Sequence, residues 1–230
     1  AWVKVCGILF LGAFMLHVAK VGGDFMALHR FLVPMLPICA VTITLGILAI
    51  LEKPFAKGLP TWSSWVLAVV CFYGSIGYAK SVNQEAMTVG SENGVDSIGW
   101  LKMFAGQCRT AGLWLGENMP EGTSIATTAA GTIPFYSRLY TVDILGLNDE
   151  WIAHEVPATG SRPGHTRVAP ESYLASKSVD VLIYHPQFMK TARKFGQKRL
   201  TGSNGKRTSY RWRVEKVRDL KPPYFGFWER

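Results

Sequence analysis

Charge is scarce at the start of this chain. Residues 1–80 hold six Lys or Arg and two Asp or Glu, while residues 81–230 hold nineteen and fourteen. Cysteine is scarce as well. Cys6, Cys39, Cys71 and Cys108 form no Cys-x-x-Cys pair and no Cys/His ligand spacing. A disulfide scaffold and a zinc knuckle are thereby excluded, and the four read as small buried apolar residues. Neither a phosphate-binding GxxxxGK[ST] loop nor GxGxxG, HExxH or GxSxG occurs, and five histidines with scattered serines assemble no hydrolase triad. At 48% hydrophobic residues the chain is too apolar for intrinsic disorder.

What is present divides unevenly. Three apolar runs occupy the charge-poor third: Val5–Ala19 within residues 1–19, Phe31–Leu51, and Trp62–Ala79. The middle run is uncharged and long enough for about 30 Å of hydrocarbon. Trp62, Trp65, Tyr73 and Tyr78 flank the third as interfacial aromatics would. Pro34 and Pro37 fall in the first turns of the second run, where a missing N–H costs little. The expectation is three transmembrane helices (about 1–19, 31–51 and 62–79), the first one truncated at its start. A polar linker over 81–97 and a domain over 98–230 follow.

That domain reads as α/β. Apolar residues Ile98, Leu101, Phe104, Cys108, Ala111 and Leu115 recur at helical spacing. Short strands are expected over 124–128, 140–145 and 179–184, with a helix opening at Thr132 and another near 170–177. Strand alternating with helix predicts a mainly parallel sheet. Asn204-Gly205, between two strand-like runs, predicts a C-terminal β-hairpin. Aromatics then crowd the end in Tyr224, Phe225, Phe227 and Trp228, as an interfacial anchor or as packing over the open sheet edge.

The formal net charge of +9 is local. Residues 187–230 carry thirteen Lys or Arg against three Asp or Glu, so the remainder is near neutral. Such a stretch suits anionic headgroups or phosphates, or else is a solvated hairpin. Beside apolar spans, nucleic acid is not an expected partner.

Three constellations carry possible chemistry. In Gly22-Gly23-Asp24, followed by His29-Arg30, the carboxylate of Asp24 would orient a hydroxyl or a metal, and Arg30 would grip a phosphate. A bland alternative is an ion pair that fixes a loop. Asp143, Asn148, Asp149 and His154 follow a predicted strand, where α/β sheets build their sites; a turn and a helix cap explain them equally. Arg162, His165 and Arg167 share one loop that would take a phosphate or a sugar. No cofactor is evident, and a divalent metal stays open.

Read in order, GGDFM…HRFLVPMLP, GTSIATTAAGTIPFYSRLYTVDILGLNDEWIAH…GH and SVDVLIYHP resemble the C-terminal part of bacterial GT-C type membrane glycosyltransferases. The likeness is to the terminal-arabinofuranosyltransferase-like and flagellar-motor-control-like proteins, and spans roughly Val21 to Pro186. The resemblance implies transfer of a sugar from a polyprenyl-phosphate donor to an envelope glycan acceptor. It places the protein in the bacterial inner membrane, among its lipids, with residues 98–230 outside the cytoplasm. It also implies a catalytic base upstream of Ala1, so this fragment alone would be inactive. Thr166 stands where the family often has an acid after Gly-His. The alternative is a non-catalytic membrane-anchored module that binds envelope glycan or a protein partner.

Overall fold

The structure, a computed structural model, describes residues 2–21, 30–51, 62–88, 96–160 and 162–230. It resolves into two compact units, residues 1–101 and 102–230.

The first unit is helical: α1 (Trp2–Lys20), a 3₁₀ helix (Arg30–Met35), α2 (Leu36–Leu51) and α3 (Trp62–Thr88). Among the described residues, no helix is long and apolar enough to cross a membrane, which corrects the expectation of three spans. The second expected span divides at Pro34, which lies inside the 3₁₀ helix. Its α-helical remainder, α2, rises only about 24 Å at 1.5 Å per residue, short of the hydrocarbon thickness. Lys4 lies near the start of α1, and His17 and Lys20 occupy its last turn. Past Ala79, α3 continues through the polar Lys80-Ser81-Val82-Asn83-Gln84-Glu85. Leu9, Leu16, Phe72, Tyr73 and Tyr78 are exposed on these helices. So are Cys6 and Cys71, and of the four cysteines only Cys108 is buried.

The second unit takes in α4 (Ile98–Asn118) from Lys102 onward. It continues with β1 (Ser124–Thr127), α5 (Thr132–Ser137), β2 (Tyr140–Asp143), α6 (Glu150–Glu155), α7 (Glu171–Ser176), β3 (Val181–Met189), β4 (Gln197–Thr201), β5 (Arg207–Lys216) and β6 (Tyr224–Glu229). The strands form one sheet in the order β2-β1-β3-β6-β5-β4. Its first three strands pair in parallel, with Ile125 opposite Thr141 and Val181. The other three add on antiparallel, so the sheet is mixed rather than mainly parallel. The physical reason is β6. The closing aromatics neither anchor at an interface nor cover an edge; they form a central strand between β3 and β5. The hairpin β4–β5 is thus joined to the parallel half.

Each sheet face carries its own core. On one face, Cys108, Ala111 and Leu115 of α4 pack with Ile125, Ile133, Val181, Ile183, Phe225 and Phe227. Burial pushes the Cys108 thiol up to about 12, so it behaves as an apolar side chain. On the other face, Ile152 of α6 and Leu174 and Ala175 of α7 pack with Ala126, Val142, Leu182, Leu200 and Tyr210. Close approach of α4 to α5 depends on Gly112 and Gly116, one helical turn apart. A Cβ at Gly112 would lie 2.9 Å from the Ile133 carbonyl oxygen, and one at Gly116 2.9 Å from that of Ser137.

At the opposite end of the strands from their parallel carboxyl termini, one carboxylate ties three strands. The backbone N–H and hydroxyl of Ser124 donate to Asp180 Oδ2 at 3.0 and 2.7 Å. Arg230 Nη2 meets Asp180 Oδ1 at 2.6 Å, and Arg230 N–H donates to the Asp180 carbonyl at 2.9 Å. Burial alone would raise the Asp180 carboxyl, but the Ser124 hydrogen bonds and the Arg230 charge outweigh it. The group is held below its ordinary 3.8.

Two predictions follow from this packing. Gly112→Ala and Gly116→Ala gain up to ~1 kcal/mol of helix propensity but meet rigid backbone, and overpacking costs about 1–3 kcal/mol. Urea unfolding is therefore expected to show lower stability for each variant, and lower still for the pair; stability at or above that of the parent would refute the close-approach argument. Because the Asp180 carboxyl is lower in the folded state, its contribution is complete above the unfolded value and lost as pH falls through the folded one. Between pH 5 and pH 2 the parent should lose more stability than Asp180→Asn, as followed by thermal melts.

Candidate functional site

Parallel strands β1, β2 and β3 end together, and the loops leaving those ends carry most of the polar residues singled out in the sequence. In an α/β sheet the crevice outside the strand carboxyl ends, where successive connections leave in opposite directions, is the usual ligand position. Here that point lies between β1 and β3: the chain leaves β1 toward β2 on one side and leaves β3 toward β4 on the other.

Asp143, the last residue of β2, is only 3% exposed. Its Oδ1 accepts the Leu145 N–H at 2.9 Å and its Oδ2 the Asn148 N–H at 2.8 Å. Both oxygens are thus occupied in folding the 143–148 turn. Gly146, at φ +72°, lets that turn pass beneath Ile152, where a Cβ would come within 2.7 Å of the Ile152 side chain. Asp149 caps α6 by accepting the Ile152 N–H at 3.1 Å. It also receives the Tyr173 hydroxyl at 3.1 and 2.9 Å on its two oxygens. Burial first, and the Asp149 carboxylate second, push the Tyr173 phenol above its ordinary value.

Around Asp149 a shelf forms that has no counterpart in the sequence reading. The rings of Trp151 and Tyr173 stack at 4.3 Å and 6°. Lys177 Nζ lies 5.2 Å from the Tyr173 ring centroid, and contact with that phenol holds the ammonium above its usual range. Trp151 remains 44% exposed, as does Leu147 at 62%. Asn148 is exposed, and its side chain is not needed by the turn, which uses only its backbone.

Beyond β1 the chemistry is different. Tyr184 stands in the left-handed region at φ +55°, a strained conformation for a bulky side chain. It follows Ile183, the extra residue where the β1–β3 register shifts. Its carbonyl accepts the Thr128 N–H at 2.9 Å and the Thr127 hydroxyl at 3.0 Å. The Thr128 hydroxyl lies 3.4 Å from His185 Nδ1, and the His185 ring stacks on Phe104 at 5.3 Å. On the other sheet face, the Tyr184 hydroxyl meets Glu171 at 3.4 Å while Lys198 sits 4.6 Å over its ring. Lys198 and Glu171 pair at 2.5 Å. Burial raises the Tyr184 phenol, with Lys198 opposing and Glu171 reinforcing.

The remaining sequence candidates scatter. His154 is exposed in the last turn of α6. His165 is half-buried in its loop, with Nδ1 3.2 Å from the Pro163 carbonyl. Arg167 ties the same loop to α6 through the Val156 carbonyl at 2.8 Å. Arg30 begins the 3₁₀ helix of the first unit, and Asp24 lies outside the described residues. Among the described residues, no group of three or more His, Cys, Asp or Glu is placed to hold a metal ion. The structure therefore brings Asp143, Asn148 and Asp149 into one turn and leaves the two histidines apart from it. Trp151 was visible as part of a short helix. Its partner Tyr173 lies in a different helix, and no local signal links the two. Tyr184 carried a faint signal, since Tyr-His-Pro closes an apolar strand run.

These features define an α/β domain with a mixed sheet and polar turns gathered at the carboxyl ends of its parallel strands. Residues 100–223, more than half of the chain, match a family described as a domain of unknown function, DUF8728. The chain belongs to that family. No curated protein and no solved structure matches it.

The turn gives a direct test. Asp143→Ala orphans two backbone donors at a buried position and is expected to cost about 1–3 kcal/mol. Asp143→Asn keeps one acceptor and should cost less. Equal, negligible losses in thermal unfolding would mean that the carboxylate does not hold the turn.

Proposed function

We propose that the sheet domain is a glycan-binding module, with its site on the Asn148–Trp151–Tyr173 shelf, and that it serves a sugar-transfer protein without supplying the transfer chemistry. The observation that carries this reading is the state of the two carboxylates. Asp143 spends both oxygens on backbone donors, and Asp149 spends both on a helix cap and a phenol. A general base must lie within reach of the proton it takes, whereas Asp143 is buried and Asp149 is turned to its helix cap and the Tyr173 hydroxyl. Recognition needs other things, and the shelf has them. A half-exposed indole presents a face to the C–H side of a sugar ring, and its stacking on Tyr173 holds it in place without further loss of side-chain freedom. Exposed Asn148 adds both a donor and an acceptor for sugar hydroxyls.

This reading keeps what the resemblance implies about sugars and assigns this domain the acceptor glycan. A polyprenyl-phosphate donor and a catalytic base would then be handled by other parts of such a protein. It also favours the binding alternative over catalysis within residues 102–230.

Saturation-transfer NMR on the full 230-residue chain, with neutral arabinan, mannan and glucan hexasaccharides, tests the proposal. At least one should bind, and Trp151→Ala should weaken it tenfold or more, about 1.4 kcal/mol. Asn148→Ala should have a smaller effect. Failure of all three glycans at millimolar concentration, or equal affinity in Trp151→Ala, would overturn the assignment.

A further inference from the structure

The β4–β5 wing carries a second feature that the glycan reading does not use. From Lys190 to Arg211 the chain has Lys190, Arg193, Lys194, Lys198, Arg199, Lys206, Arg207 and Arg211, and not one Asp or Glu. These residues form the loop after β3, the edge strand β4, the hairpin turn and the first half of β5. In the antiparallel register Arg199 stands opposite Ser209, and Arg211 and Arg207 stand opposite Gln197 and Thr201. Side chains alternate between faces. Tyr210 and Leu200 point into the core shared with α6 and α7. Gln197, Arg199, Thr201, Arg207, Ser209 and Arg211 therefore share the opposite face, and all six are exposed. Arg199 is diagonal to both other arginines, at roughly 7–8 Å.

Several cations of this unit are paired with carboxylates. Arg213 is held by Glu215 and Glu229, Arg230 by Asp180 and Lys198 by Glu171. Arg199, Arg207 and Arg211 enter no ion pair among the described residues. Protection of an exposed sheet edge accounts for charge on β4, the edge strand. It does not account for Arg211, where β5 is paired with both β4 and β6. The face is polar and without an aromatic platform, which disfavours stacking of single-stranded bases. Beside Arg211 a depression of about 330 Å³, lined by Gln197, Ser209 and Tyr210 with the already paired Glu229 and Arg230, offers room for one headgroup. A face of unpaired, exposed arginines fits the phosphates of an anionic lipid surface.

We propose that this wing docks peripherally on an anionic phospholipid surface, with Arg199, Arg207 and Arg211 on headgroup phosphates. The attraction is a sum of single charges, each weakened by salt.

Co-sedimentation of the full chain with vesicles tests this. Vesicles of phosphatidylcholine with 30% phosphatidylglycerol are compared with phosphatidylcholine alone, at low salt and at 0.5 M NaCl. Binding should favour the anionic vesicles and fall with salt. R199Q/R207Q/R211Q should partition roughly a hundredfold more weakly. R199K/R207K/R211K should stay within a few-fold of the parent. K102Q/K216Q/R218Q, with the same net charge as the glutamine triple variant, should also stay close to the parent. Circular dichroism confirms folding of each. The proposal is overturned if both vesicle types bind equally, if the two glutamine triple variants weaken alike, or if a single-stranded 20-mer binds the parent more tightly than the anionic vesicles do. None of these outcomes touches Trp151, so the glycan reading stands or falls separately.

Discussion

The carboxylate of Asp180 sets the frame of the sheet. It stands just before β3 and takes two hydrogen bonds from Ser124 at the start of β1, while Arg230 reaches it from the end of β6. Parallel pairing of β1 with β3 and antiparallel pairing of β3 with β6 need independent registers, and a slip of one residue would turn a strand inside out. A single anion that must meet both neighbours ties the two registers together. Everything placed at the far end of these strands, the 143–149 turn and the strained Tyr184 included, inherits its position from that alignment.

Local pattern made much of the domain legible. Helical spacing from Ile98 to Leu115 matches α4, and apolar runs bounded by turns match β1, β2 and β3 within a few residues. Asn204-Gly205 sits in the turn joining β4 to β5. Sheet membership was not legible. Tyr224–Glu229 reads as a terminal aromatic cluster because its neighbours, β3 and β5, are fixed by tertiary pairing alone. Apolarity misled in the first unit, where composition counted residues without registering that Pro34 falls in a 3₁₀ turn and that α3 runs on into polar sequence.

The candidate site divides along the same line. Asp143 and Asp149 could be located from sequence, yet their roles could not, because a carboxylate after a strand serves chemistry or backbone equally well. Only the partners decide, and here these are the N–H groups of Leu145, Asn148 and Ile152 with the Tyr173 hydroxyl. Tyr173 and Tyr184 escaped notice since each acts across a gap in sequence, through Asp149 and Glu171 respectively. The arginine face was visible only as net charge. Its meaning lies in the alternation that puts Leu200 and Tyr210 inward and Arg199, Arg207 and Arg211 outward.

The insertion of β6 between β3 and β5 has a consequence for how the polypeptide is made. When β3 has been made, its partner on that side does not yet exist, and the hairpin β4–β5 that follows cannot substitute for it in the native order. The stretch from Met189 to Tyr224 takes about 2 to 7 seconds to synthesise at ~5–20 residues per second. Until β6 has been made and docked, the edge of β3 at Val181 and Leu182 lacks its native partner. The nascent chain thus has a defined window in which a chaperone, or a wrong strand, competes for the place that β6 will fill.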